Sequence, residues 1–227
     1  MILAAGRGNR MRPLTDVTPK ALLAVGGKPL LFRHLEKFAR AGLGTVTINH
    51  AHLGEQIEEA VGDGSRWNIE VRYSTEVEAL ETAGGICNAL PLIGRRTFAV
   101  VNADVYCDYD YSGLASAAER LADSQALAHL VLVDNPPHHP NGDFCLENGL
   151  MRASGLQMLT FSGLGAYRAE LFEPLARGTR HALAPLLRSQ LPKGSVTGEH
   201  YRGLWADVGT PGRLAELDAR LQPEAPT

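Results

Sequence analysis

Leu3-Ala4-Ala5-Gly6-Arg7-Gly8-Asn9-Arg10-Met11-Arg12-Pro13-Leu14-Thr15, continued by Pro19-Lys20-Ala21-Leu22-Leu23, decides how the rest of the chain is read. Met1 to Ala5 is an apolar run too short for a helix, and it breaks into glycines where a buried strand would leave a sheet. A strand running into a glycine loop suits an anion, because glycine lets backbone N–H groups approach with no Cβ in the way. Arg10, Arg12 and Lys20 put positive charge within reach of the same loop, which points to a polyanionic ligand. Two common phosphate loops are excluded. A dinucleotide fingerprint needs a third glycine where Met11 stands, and a P-loop needs Gly-Lys-Ser/Thr where Gly27-Lys28 is followed by Pro29.

Outward from that loop the pattern alternates between strand and helix. Leu31, Leu35 and Phe38 repeat at helical spacing after Gly26-Gly27-Lys28-Pro29, which reads as a helix opening. Thr45 to Asn49 is the next strand, Leu53, Ile57 and Val61 mark a helix stopped by Gly62, and Ile69 to Ser74 alternates as a third strand. Glu78 to Gly85 reads as a polar loop closing on a second glycine pair. Thr97 to Asn102 is apolar on both faces, as a central parallel strand must be, and turns polar at Asp104. A carboxylate at a strand's C-terminal tip lies where open α/β sheets bind ligands. Ser112 to Ala122 is helical and Leu127 to Val133 is a strand.

The pattern then changes. Pro136, Pro137 and Pro140 stiffen a loop around His138 and His139, and Asn148-Gly149 is a hairpin signal, so residues 136 to 165 read as an antiparallel lobe on the sheet's edge. Leu171 to Ala176 and Ala182 to Leu191 read as helices, Val196 to Trp205 as an extended segment, and Thr210-Pro211 as the cap of a last helix through Leu221. Pro223 to Thr227 is expected to fray.

Composition narrows the classes. A chain of 227 residues needs no covalent staples, since one of this size buries roughly 70% of its unfolded surface. Cys87, Cys107 and Cys145 are odd in number and unpaired in spacing, which reads as reduced thiols in the core. A net charge of −3 with both signs interspersed gives no reason to expect nucleic acid or an anionic membrane. No apolar run approaches the ~18 residues of a spanning helix and there is no signal-peptide pattern, so the expectation is the cytoplasm. His50-Ala51-His52 and His138-His139 lack a Cys or Glu at zinc-ligand spacing, and no Gly-x-Ser-x-Gly elbow supports hydrolysis.

Gly6-x-Gly8-x-Arg10-x-x-Pro13-Leu14-Thr15, with Pro19-Lys20 and Gly27-Lys28-Pro29-Leu30, resembles the signature of the sugar-1-phosphate nucleotidyltransferases. The resemblance implies an α/β fold: a Rossmann-like, mostly parallel twisted sheet flanked by helices, with a small antiparallel sugar-binding lobe. It implies one domain over residues 1–227, with a nucleotide-binding core at 1–135 and 195–221 and the lobe at about 136–194. In that family a sugar-1-phosphate oxygen attacks the α-phosphorus of a nucleoside triphosphate and pyrophosphate leaves. Arg10 and Lys20 match its two catalytic cations, and Asp104 and Asp207 its two magnesium-binding aspartates. Leu3, Ala5, Gly6 and Gly8, together with Thr82, Gly84 and Gly85, would hold the nucleotide; Asn102, Gly142, Glu147 and Ser162 would hold the sugar. Arg12 and Lys28 are either accessory phosphate contacts or solvated surface charges.

Two departures from the family pattern stand out. Ala79 or Leu80 occupies the region where many uridylyl- and thymidylyltransferases carry a glutamine. Ser154-Gly155-Leu156-Gln157 replaces the usual Glu-Lys-Pro element, which leaves the sugar-phosphate lysine unassigned, with Arg202 as a substitute. The compact core and Leu80-Glu81-Thr82-Ala83-Gly84-Gly85 look most similar to members that join UTP to N-acetylmuramic acid 1-phosphate in bacterial cell-wall recycling. Mannose-1-phosphate guanylyltransferases come next, and a non-catalytic nucleotide-sugar sensor is the alternative outside enzymes. The expected assembly is a monomer or weak homodimer.

Overall fold

The structure, a computed structural model, describes residues 1–222, and the tail Pro223 to Thr227 lies outside the described residues. Strand β1 (Ile2–Leu3) runs into the glycine loop, after which β2 (Ala24–Val25) and β3 (Lys28–Pro29) form a small hairpin ahead of α1 (Leu30–Arg40). Then come β4 (Thr45–His50), α2 (Gly54–Val61), β5 (Glu70–Thr75), α3 (Glu81–Ile93), β6 (Thr97–Asn102), β7 (Val105–Cys107), α4 (Ser112–Ala122) and β8 (Ala128–Val133). The chain continues through β9 (Phe144–Glu147), β10 (Leu150–Arg152), β11 (Met158–Arg168), α5 (Leu183–Gln190), β12 (Val196–His200), β13 (Trp205–Asp207) and α6 (Pro211–Leu221).

Nine of these strands make one sheet in the order β5-β4-β1-β6-β11-β8-β12-β10-β9. The four strands from β5 to β6 are parallel, and so are β8 and β12. Each strand feeds residues alternately to two cores, as the period of two requires. Val46, Ile48, Ala99 and Val101 face the layer of α1 and α4, where Leu31, Leu35, Phe38 and Leu114 are buried. Phe98, Val100, Leu130 and Leu132 face α3 and α5 with Ile86 and Leu187. Burying each such side chain contributes about 1.5–3 kcal/mol. The result is a three-layer α/β/α domain whose parallel strands end along one edge.

Four expectations need correcting. Gly26 and Gly27 do not open a helix; with φ of 55° and 70° they turn the β2–β3 hairpin, and α1 starts at Leu30. Gly84 and Gly85 lie inside the first turns of α3 and not in a loop. Leu171 to Ala176 forms only a short 3₁₀ turn at Ala169–Phe172. The lobe lies on the sheet's edge only in part, since β10 and β9 end the sheet but β11 does not. Its hairpin, turned by Asn148 and Gly149 at φ of 51° and 78°, pairs into the sheet through β10–β12 and β9–β11. From there β11 runs antiparallel between β6 and β8 in the sheet's interior. A register shift between Phe161 and Leu164 breaks the alternation that would have betrayed so long a strand.

Candidate active site

A cleft of about 210 Å3 opens at the C-terminal edge of β1, β4 and β6. Its walls include Leu3, Ala5, Gly6 and Gly8 from the opening loop, Thr82 from the start of α3, and Lys20, Asn102 and Asp104. These eight of the residues named from the sequence share the cleft, whereas Arg10, Gly84, Gly85, Gly142, Glu147, Ser162 and Asp207 do not line it.

The end of the cleft formed by the opening loop is shaped by glycine. Gly8 has φ of +68°, and a Cβ there would lie 2.9 Å from Thr15 Cγ2 and 3.3 Å from Lys20 Cβ. Thr15 is buried and its hydroxyl donates to the Gly8 carbonyl at 2.8 Å, which ties the loop back to the chain that delivers Lys20. The Lys20 ammonium, on a side chain only 11% exposed, pairs with Asp104 Oδ2. Arg10 lies on the 3₁₀ turn Asn9–Met11, exposed and with no ion pair among the described residues. It does not line the cleft. Arg12 pairs with Asp16 at 2.5 Å and Lys28 with Glu36 at 2.7 Å, so both are engaged surface charges.

The opposite end is built on a buried polar pair that the sequence did not single out. Asn49 Oδ1 accepts from Ala4 N at 2.9 Å, and its Nδ2 donates to Glu76 Oε1 at 2.6 Å. Glu76 Oε2 accepts from Leu80 N at 2.8 Å, so one carboxylate holds the segment carrying Ala79, Glu81 and Thr82 against β1. Gly85 makes room for this pair, since a Cβ there would lie 2.7 Å from Asn49 Nδ2. Gly84 makes room for residues 179–181, and its N–H donates to His181 O at 3.1 Å. That N–H is therefore spent, and neither glycine lines the cleft; only Thr82 of this group does. Glu81 also lines it, with an uncommon φ of +61° and an ion pair to Arg180 at 3.3 Å.

Asp104 and Asp207 are brought together by a two-stranded ribbon. β7 and β13 pair antiparallel with Val105 opposite Asp207, and Val208 N donates to Asp104 O at 2.8 Å. Beneath the turn that carries Asp104, His34 is buried with Nδ1 2.6 Å from Tyr111 Oη, and burial pushes its imidazole down to about 4. His34 is thus neutral near pH 7. Burial likewise lowers Lys37, whose ammonium donates to Tyr109 O at 2.9 Å and pins the segment after β7.

Asp104 lines the cleft and Asp207 a second pocket with Pro137, His138 and Trp205, and in donor type the two carboxylates fit a magnesium ion. They are oxygen donors on adjoining strand ends, and a cation, the Lys20 ammonium, already sits on one of them. No group of three or more His, Cys, Asp or Glu side chains able to hold a metal occurs among the described residues. Mg2+ accepts that shortage, because it keeps several waters and takes one or two carboxylates with phosphate oxygens.

Of the four residues expected to meet the sugar, only Asn102 lines the cleft. Gly142, at φ of +61°, sits against Asn135 Oδ1 and the Leu159 carbonyl. Glu147 is half exposed, with Arg152 at 3.7 Å. Ser162 is fully buried; its hydroxyl donates to Val131 O at 2.7 Å and accepts from Leu164 N, so it secures the irregularity in β11. Its carbonyl accepts from Trp205 Nε1 at 2.9 Å. A serine beside a glycine reads equally well as a ligand contact or as a bulge, and here the fold takes it.

Comparison with known proteins agrees with this architecture. An N-acetylmuramate alpha-1-phosphate uridylyltransferase from Neisseria meningitidis serogroup B is 50% identical over 223 residues, covering 96% of each chain. One of the same description from Caulobacter vibrioides is 32% identical, covering 97% of this chain and 96% of its own. A Bacillus anthracis protein solved with sucrose superposes with a TM-score of 0.84 at 20% identity, covering 100% of this chain and 96% of the other, and so shares the fold. The profile described as nucleotidyl transferase matches residues 1–149, and this chain belongs to that family.

Proposed function

We propose that the protein transfers the uridylyl group of UTP to a sugar 1-phosphate, N-acetylmuramic acid 1-phosphate, and releases pyrophosphate. The observation that carries the reading is the meeting of the glycine loop, Lys20 and Asp104 in one cleft. The named relatives support the choice of nucleotide and sugar.

In this reaction a phosphate oxygen of the sugar attacks the α-phosphorus, a P–O bond forms, and the bond to the β-phosphate breaks with its electron pair leaving on pyrophosphate. The barrier is the crowding of negative charge, so the task of the protein is to hold anions in line and neutralise what develops. Gly6 and Gly8 leave space for the triphosphate to approach the backbone. Lys20 would shift from Asp104 to the α-phosphate, and Arg10, exposed and unpaired among the described residues, would close over the leaving pyrophosphate. Asp104 and Asp207 would hold a magnesium ion, which supplies charge neutralisation when bound. Thr82 and the segment fixed by Glu76 would bound the base, and Asn102 would face the sugar. Gly142 and Glu147 belong to the same lobe and remain assigned to the sugar side, at a distance from the cleft. We place the reaction in the cytoplasm, where UTP is held, and read the protein as a monomer or weak homodimer. No helix among the described residues is long and apolar enough to cross a membrane.

The test is pyrophosphate release with magnesium, all four nucleoside triphosphates and a panel of sugar 1-phosphates. Release is expected with UTP and N-acetylmuramic acid 1-phosphate. Release only with GTP and mannose 1-phosphate would move the assignment to guanylyl transfer, and silence with UTP still bound would make the protein a sensor.

A further inference from the structure

Asp207 is engaged on one oxygen from two sides. Arg213, in the first turn of α6, donates from Nη1 to Oδ1 at 3.0 Å. His138, from the loop that opens the lobe, places Nε2 2.9 Å from the same oxygen. Oδ2 accepts no hydrogen bond among the described residues.

This arrangement is built, and the space for it has been cleared. A Cβ at Gly209 would stand 2.0 Å from Arg213 Nη2 and 3.0 Å from Asp207 Oδ2. Gly209 has no left-handed φ, so the turn does not demand glycine there; the guanidinium does. The Arg213 side chain is 17% exposed and its Nε is buried without an acceptor, a cost that a solvated surface arginine avoids. The His138 loop is braced as well. Asn135 Nδ2 donates to Pro140 O and Met158 O, each at 3.0 Å, and His139 pairs with Asp143 at 3.1 Å. His138 is therefore carried to Asp207 on a fixed support.

We propose that Arg213 and His138 are positioning residues that occupy Oδ1 of Asp207 and leave Oδ2 as the one oxygen offered to the divalent ion. A carboxylate with one oxygen held by a guanidinium and a ring nitrogen is left to bind a metal through the other, which suits a small ion that keeps its waters. Partners outside the ligand set orient ligands in this way and typically affect metal affinity about 10–100-fold. The inference rests on the metal-dependent transfer proposed above and deepens it, because it says how this chain aims one of its two carboxylates.

The test is Mn2+ binding, followed by the electron paramagnetic resonance of free Mn2+, to the full-length protein with α,β-methylene-UTP, alongside thermal melting and pyrophosphate-release kinetics. Arg213→Gln and Gly209→Ala are expected to weaken Mn2+ binding about tenfold or more. The Mg2+ concentration for half-maximal rate should rise by the same factor, with KM for UTP at saturating metal within about twofold. Arg213→Lys should recover most of the affinity, and His138→Ala should lose less than Arg213→Gln does. If Gly209→Ala does not fold, Arg213→Gln carries the test alone. A folded Arg213→Gln protein with wild-type Mn2+ affinity would overturn the proposal, and so would a change confined to KM for the sugar phosphate, which would mean that Arg213 touches substrate. Wild-type protein that transfers uridylyl while the variants keep its metal affinity sinks the positioning role only; wild-type protein that neither binds Mn2+ nor releases pyrophosphate sinks the functional reading and this one together.

Discussion

A Cβ added at Gly6 would meet no atom within 4 Å, whereas one at Gly84 would stand 2.3 Å from the Thr179 carbonyl oxygen. In the sequence the pairs Gly6/Gly8 and Gly84/Gly85 look alike, each following an apolar or polar run and each suggesting a loop against a ligand. In the fold Gly6 borders open space at the mouth of the cleft and Gly8 turns beside it against Thr15 and Lys20, while the second pair is packed shut between α3, residues 179–181 and the Asn49–Glu76 pair. Glycine is selected in one case for what can approach from outside and in the other for what already presses from inside. Gly6 is therefore the position at which binding can be tested, and the second pair bears on the stability of the wall behind it.

The largest effect should come from the cation beside the first pair. Lys20→Ala is expected to lower turnover about 10³-fold, the scale of a lost transition-state charge contact, with little change in melting temperature. Steady-state pyrophosphate release measures it, and an unchanged rate would separate the opening loop from the phosphates. Next is the support under Asp104. His34 is neutral in the folded protein down to about pH 4, while in the unfolded chain it takes up a proton near 6.5. Stability should thus be fully present above pH 6.5 and fall as pH drops toward 4, by about 3 kcal/mol from this group. Urea unfolding at several pH values reads the slope, which His34→Gln should flatten.

The remaining two predictions set the glycine pairs directly against each other. Gly84→Ala forces a methyl group onto backbone and should destabilise by about 1–3 kcal/mol in urea unfolding, with the folded fraction still active. Gly6→Ala should change stability by less than about 0.5 kcal/mol while raising KM for UTP about tenfold, or ~1.4 kcal/mol. Should the two variants exchange these behaviours, the division between a ligand-facing and a packing pair would collapse.

Much of the fold was legible because its signals are local. Ser112–Ala122 forms α4 as its apolar spacing indicates, and Thr210 caps α6 with its side chain accepting from Arg213 N, as a threonine before a proline suggests. The central strand β6 and the carboxylate beyond it were equally plain. What escaped were features made by distant partners. β11 stays undelimited within the lobe because Ser162 and Gly163 interrupt its alternation, and the second glycine pair reads as a loop because nothing nearby announces residues 179–181. Asn49, Glu76, His138 and Arg213 carry no motif at all. An asparagine at the end of an apolar strand and a histidine among prolines were the faint signals available.

The amino-acid sequence by itself determined the alternation of strand and helix, the glycine loop with Lys20 behind it, and a carboxylate at the tip of the central strand. These follow from hydrophobic period and backbone freedom, which act over a few residues. Tertiary structure alone decided which glycine pair faces the cleft, that β7 and β13 carry Asp104 and Asp207 on adjoining strand ends, and that one oxygen of Asp207 is held by Arg213 and His138. Those outcomes depend on the pairing of segments about a hundred residues apart, and only the packed sheet supplies that pairing.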